Sequence, residues 1–280
     1  MNKLLWYSRV ASIFLRNSLV RDMTFRANFI LDTISTTSWI FMNLGFYLLI
    51  FNYTDQIGNG TAMVWGKYEF FLFLATTLLI NSFVRGVFLT NAVDFSEHVR
   101  TGTLDFALVK PIDTQFIVSM GRVEWAAIGP CTCGLLLLVY SLFKVDYCPS
   151  LLQAVLYVFY VGCGIAIYYS LMIAMAASSI WLGRNRTLLD FWFYITNFSR
   201  YPMEIYTGRY GTPLRHAFTF VIPVLIAVNV PARLLVRPID PQGPDDWILL
   251  PYTLFATTAS LLVSRWVFKR SLVSYRSASS

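Results

Sequence analysis

The sequence is poor in charge, in histidine and in cysteine, and each shortage removes a class of function. Charged residues make up only 13% of the 280 positions, against ~25% in soluble domains, while 56% are hydrophobic. That balance excludes an ordinary water-soluble globule and points to lipid. The two histidines, His98 and His216, are far apart in sequence and expected on opposite sides of a membrane, which argues against a histidine metal site or a catalytic triad. The four cysteines are Cys131, Cys133, Cys148 and Cys163. Three lie in apolar stretches, none has zinc-site spacing, and they read as packing residues. No G-x-S-x-G elbow is present, and no phosphate-cradling G-x-x-x-x-G-K-[ST] loop. The nearest string, 60–68, has the wrong spacing and lacks the closing hydroxyl residue. The chain is therefore expected to be no enzyme, to hold no metal and to bind no ATP of its own. No small-residue cleavage site follows a short apolar core near the N-terminus, so no cleavable signal peptide is expected.

What is present is a series of long apolar runs. Crossing a bilayer takes ~20 residues with few charges. Runs at 27–51, 68–91, 123–143, 151–182, 187–201 and 247–268 are read as six transmembrane helices, so the fold class is all-α integral membrane, in one domain of 280 residues. Residues 1–26 are apolar but carry Arg9 and Arg16 on one helical face, with Trp6, Val10, Ile13 and Phe14 on another. This reads as an amphipathic helix lying in the membrane interface. Between the fifth and sixth spans, 202–244 is broken by seven prolines, among them Pro202, Pro223 and Pro231. Two short apolar pieces, 214–222 and 224–236, are expected as re-entrant or interfacial helices, a single full span over 214–236 being the alternative.

The net charge of +7 is explained by basic residues at cytoplasmic helix ends, without recourse to nucleic acid. An N-terminus inside puts Lys3, Arg9, Arg16, Arg21, Arg26, Arg100, Lys110, Arg184, Arg186, Lys269, Arg270 and Arg276 on the cytoplasmic side. Arg209, Arg215, Arg233 and Arg237 then fall outside, against the rule, but six spans with both termini inside fit the basic tail best. Asn59-Gly60-Thr61 matches a glycosylation sequon in an outer loop, a short and common pattern. Asp32, Asn43, Asn81, Arg85, Glu124 and Asp190 lie in or near spans. Such groups either form a paired site or snorkel to the interface, and the four charged ones fall toward cytoplasmic span ends. They make no chain of acids of the kind a proton-coupled pump needs.

The most informative stretch is 94–113, DFSEHVRTGTLDFALVKPID. Ser96 is a good N-cap, Glu97 suits a first turn and Gly102 suits a helix terminus, so a short helix is expected there, followed by an apolar segment ending at Pro111. Residues 97–111, centred on Arg100-Thr101-Gly102-Thr103-Leu104-Asp105, resemble the cytoplasmic coupling segment of ABC-2 type exporter permeases. Tyr201-Pro202 through Pro223 and Pro231 resemble that family's re-entrant segment. The resemblance implies a permease in the plasma (inner) membrane, paired with a second permease chain, alike or paralogous, and resting on cytoplasmic ABC ATPase subunits that hold the ATP and Mg. It implies ATPase contact by Glu97, Arg100, Gly102, Thr103, Leu104, Asp105, Phe106 and Pro111, with Leu104 and Phe106 as apolar anchors. For the substrate path, Asn81 and the fifth-span residues Phe191, Tyr194 and Asn197 suggest an amphipathic lining that would suit a lipid, a glycan or a drug-like compound. The rival classes are a membrane-embedded transferase, for which no converging reactive groups are found, and a channel or secondary transporter, for which no internal repeat is found.

Overall fold

The computed structural model describes residues 3–58, 64–182, 186–238 and 244–275. The sequon at 59–61, most of the basic turn at 183–186 and Arg276 lie outside them. The chain opens with α1 (Lys3–Thr24) and α2 (Arg26–Ile50), then a minimal antiparallel pair of β1 (Gln56–Ile57) and β2 (Trp65–Gly66). Helix α3 (Lys67–Val84) begins where the Gly66 amide donates to Glu69 Oε2 at 2.8 Å. It runs through a π turn at Arg85–Leu89 into α4 (Thr90–Thr101). Then come α5 (Asp105–Leu108), α6 (Thr114–Met120), α7 (Ile128–Lys144), α8 (Leu151–Leu182) and α9 (Arg186–Asn197). The last three are α10 (Gly208–His216), α11 (Val224–Val236) and α12 (Pro244–Ser274).

Among the described residues, five helices are long and apolar enough to cross a membrane: Arg26–Ile50, Lys67–Thr101, Trp125–Lys144, Leu151–Leu182 and Ile248–Ser274. They match five of the six expected runs. The sixth, 187–201, falls short of that length: α9 has 12 residues and a 3-10 turn at Phe198–Arg200 continues it, together about 24 Å against a ~30 Å hydrocarbon core. The proline-rich region forms two helical pieces, Gly208–Val221 and Val224–Val236, bent by 88°. A straight span over 214–236 is therefore absent. Pro223 sits at the break, where its missing N–H and ring oppose helix continuation.

The core is built on α8, with α3, α11 and α12 packed around it. Every residue of α11 is buried, the mark of a helix enclosed by protein on all sides. Close approach of α11 to α8 depends on Gly164, where an added Cβ would stand 2.3 Å from the Ala227 carbonyl oxygen. Helix α2 is peripheral: only Ile40 and Tyr47 are buried, and Ile34, Trp39, Phe41, Met42 and Phe46 are exposed. Helix α1 turns Trp6, Val10, Phe14 and Ser18 toward the protein, while Arg9, Arg16 and also Ile13 are exposed.

Candidate functional site

The segment after the second span is a continuation of the span itself. Ser96 caps no new helix. Its hydroxyl donates to the Ala92 carbonyl at 3.3 Å inside α4, because Ala92 and Phe95 find packing partners and the helix gains by going on. Phe95 meets Phe268 of α12 with ring centroids 5.6 Å apart. The helix ends at Gly102, whose φ of 72° lies in the left-handed region that glycine enters without a Cβ penalty. Across that turn the Leu104 amide donates to the His98 carbonyl at 3.2 Å. The Thr103 hydroxyl lies 2.8 Å from both His98 Nδ1 and the Thr101 hydroxyl. Glu97 and Arg100 form an ion pair one turn apart.

Leu104 and Phe106, both expected as docking anchors, part company here. Leu104 is fully buried in the chain's own core, which corrects its assignment as an outward contact. Phe106 is 75% exposed and Val109 85% exposed, with Leu108 also at the surface. Thr103 and Pro111 are exposed, and Gly102 and Asp105 are half-buried.

Three elements hold this segment from behind. Asp113 caps α6 by accepting from the Phe116 amide at 3.1 Å, and it pairs with Arg265 of α12. Arg265 Nη1 donates to Asp113 at 2.9 Å and to Gln115 at 2.7 Å. The hydrogen bond from Arg265 is the main reason the Asp113 carboxyl is held below the usual carboxylate range, with burial pulling the other way. Gln115 and Ser119 both meet the Tyr169 hydroxyl of α8, at 2.9 and 2.8 Å. From α1, Tyr7 packs edge-on against Phe116 with centroids 4.8 Å apart.

A second polar cluster surrounds the π turn. Arg85 reaches Asp32 of α2 at 3.3 Å and Glu124 at 3.3 Å, and the Thr90 hydroxyl donates to Glu124 at 3.0 Å. Of the two readings open for these charges, pairing is the one realised. Arg122 likewise pairs with Asp94 at 3.7 Å. The extended stretch between α6 and α7 is pinned by the Asn91 side chain, which bonds the Arg122 amide and carbonyl at 2.8 and 2.6 Å. Ser18 and Asp22 of α1 accept from the Val123 and Trp125 amides. A π turn at such a junction is a common mark of a functional position.

Between α2, α3 and α9 lies a cavity of about 720 Å³. Thr36, Asn43, Thr77, Asn81, Thr196 and Asn197 line it together with Trp39, Tyr47, Trp192 and Phe193. Arg85 stands at its wall, as does Arg200 from the turn after α9. Asn81 and Asn197 are thus brought together on one cavity wall. Phe191 and Tyr194 are not, because α9 presents Trp192, Phe193, Thr196 and Asn197 to the cavity and leaves those two exposed elsewhere.

A further site was not foreseen. Glu204 is buried, paired with Arg233 of α11, and accepts from Trp65 Nε1 at 2.9 Å. It fastens the turn after α9 to β2 and α11. The Met203 amide next to it donates to Asn229 of α11 at 2.9 Å. Pro202, Pro223 and Pro231 are all buried around this knot, with Pro231 inside α11.

The family model described as ABC-2 family transporter protein matches residues 37–279, nearly the whole chain beyond α1. The chain belongs to the ABC-2 transporter family. It is a multi-pass membrane protein and a permease component of an ABC transporter, a class of membrane subunit that associates with ABC ATPase subunits. No curated protein and no solved structure is significantly similar to it.

Proposed function

We propose that this ABC-2 permease works in export. Two permease chains stand side by side in the plasma membrane, with both termini cytoplasmic, and each rests on a cytoplasmic ATPase. Segment 94–113 is the coupling element, and the substrate passes along the cavity between α2, α3 and α9. The observation that carries this reading is the pair of faces on one short segment. Its outer side exposes Phe106, Leu108 and Val109, an apolar patch suited to a partner cleft. Its inner end is bonded to α12 through Asp113 and Arg265, and α6, which follows directly, is bonded to α8 through Gln115 and Tyr169. A displacement of the segment by the ATPases would therefore pull on the helices that build the core. The work comes from the different nucleotide affinities of two conformations. The bent pair 208–236 would serve as the re-entrant lid on the outer side, kept in place by the Glu204–Arg233 pair.

Cysteine accessibility tests the arrangement. On a background lacking the native cysteines, Thr103→Cys should react only from the cytoplasmic side, and bound ATPase should shield it. Labelling from outside would overturn the topology and the coupling assignment together.

A further inference from the structure

The cavity is electrically one-sided. Arg85 and Arg200 line it, and no acidic side chain does among the described residues. Arg85 is balanced from behind by Asp32 and Glu124. Arg200 has no carboxylate within ion-pair reach among the described residues, and its side chain is exposed to the cavity. Its depth makes that unusual. The neighbouring Ser199 hydroxyl meets that of Tyr168, which stands near the midpoint of the 32-residue α8. Arg200 thus follows directly on a residue that touches the middle of α8, inside the bundle of candidate spans. A cation at such depth is expensive and by default marks a binding site or pathway. Asn197, one turn earlier on the same face of the chain, adds an amide, and Asn81 adds another from α3. Trp39, Phe193 and Leu78 supply apolar wall beside them.

We propose that the cavity binds an acidic amphiphile, with its negatively charged head group on Arg200 and its hydrocarbon chain along Trp39, Phe193 and Leu78. This rests on reading the cavity as the substrate path and names the substrate class. A guanidinium matches phosphate and carboxylate by paired hydrogen bonds, and an anion supplies the charge that the cavity wall lacks. A neutral apolar compound would strip water from Arg200 and return nothing. The volume of about 720 Å³ lies within the ~300–1,000 Å³ usual for ligand pockets.

The test uses the full chain in phosphatidylcholine nanodiscs, without ATPase or nucleotide. The probes are dodecyl phosphate, dodecanoate and dodecanol, each carrying one fluorophore at the far end. Both acidic probes should bind about tenfold or more tightly than the alcohol, as expected for a charge-assisted contact. A phosphate-only preference would still support the inference and would narrow the head group. R200Q should abolish the preference, with the acidic probes losing affinity and the alcohol losing none, and R200K should keep part of it. Equal affinity for all three probes, or undiminished selectivity in R200Q, would overturn it. If R200Q does not fold, the wild-type comparison and R200K still decide. Because no ATPase is present, failure here leaves the coupling reading standing. Loss of ATPase assembly with selectivity retained would do the reverse.

Discussion

Leu104 and Phe106 are two residues apart, and their substitution should fail in opposite ways. Leu104 is fully buried, so Leu104→Ala removes core contacts and leaves a cavity, a change worth ~2–5 kcal/mol of stability. Phe106 is 75% exposed, so Phe106→Ala should leave folding within ~0.5 kcal/mol. Its cost should appear in docking. An aromatic side chain offers ~150–250 Å² for burial, and three quarters of that leaves roughly 130 Å² for a partner. At ~25 cal/mol per Å² this gives about 3 kcal/mol as an upper bound, or ~100-fold in affinity. Two assays on the same preparations separate the effects. Thermal unfolding in detergent should show a large drop for Leu104→Ala and almost none for Phe106→Ala. ATPase retained on the affinity-purified permease should fall steeply for Phe106→Ala, and Glu97→Gln, at the rim, should fall much less. Full ATPase retention and full export by Phe106→Ala would refute the assignment of this surface as the docking face.

Gly102→Val should lower the unfolding midpoint by the equivalent of ~1–2 kcal/mol and weaken ATPase retention, since a β-branched residue resists the φ of 72° there, while Gly102→Asn should be milder. Gly164→Val should be among the most damaging single changes, costing more than ~3 kcal/mol, because even its Cβ would meet the Ala227 carbonyl and push α11 off α8, which unfolding would report. The folded Asp113 carboxyl is held below its unfolded value, so the Asp113–Arg265 pair stabilises fully above the ordinary Asp pKa of ~3.9 and loosens only as pH falls through the lower folded value. Unfolding midpoints of wild type and Asp113→Asn should therefore differ by a constant amount, equivalent to ~1 kcal/mol, between about pH 5 and 8 and converge only in stronger acid.

The parts of the fold legible in the sequence are those set by local rules. Long apolar runs need few charges and a fixed length, so the expected 27–51 and 151–182 meet Arg26–Ile50 and Leu151–Leu182 almost residue for residue. Gly102 and Pro223 mark a turn and a break because backbone chemistry leaves few alternatives there. What could not be read depends on partners far along the chain. Ser96 looks like a cap until Phe95 finds Phe268 and draws the helix onward. Leu104 looks like an exposed anchor until the fold closes over it. Arg85 gives no sign that its partners are Asp32 and Glu124, 53 and 39 residues away, nor Asp113 that Arg265 lies 152 residues on. In the cavity, helical spacing could have divided α9 correctly. Thr196, Asn197 and Arg200 share one face with Phe193, and Tyr194 points elsewhere. The charge of Arg200 in an apolar neighbourhood was the signal that went unread.

The central claim is that this chain converts ATP use by a separate subunit into movement across the membrane. It is tested most directly by ATP hydrolysis measured in nanodiscs for the chain alone, its ATPase alone and the assembled complex. The account predicts no hydrolysis by the chain alone, a basal rate for the ATPase, and a changed rate in the complex that reverts toward the basal value with Phe106→Ala. Hydrolysis by the chain after rigorous removal of every partner, or a complex indistinguishable from the ATPase by itself, would contradict it.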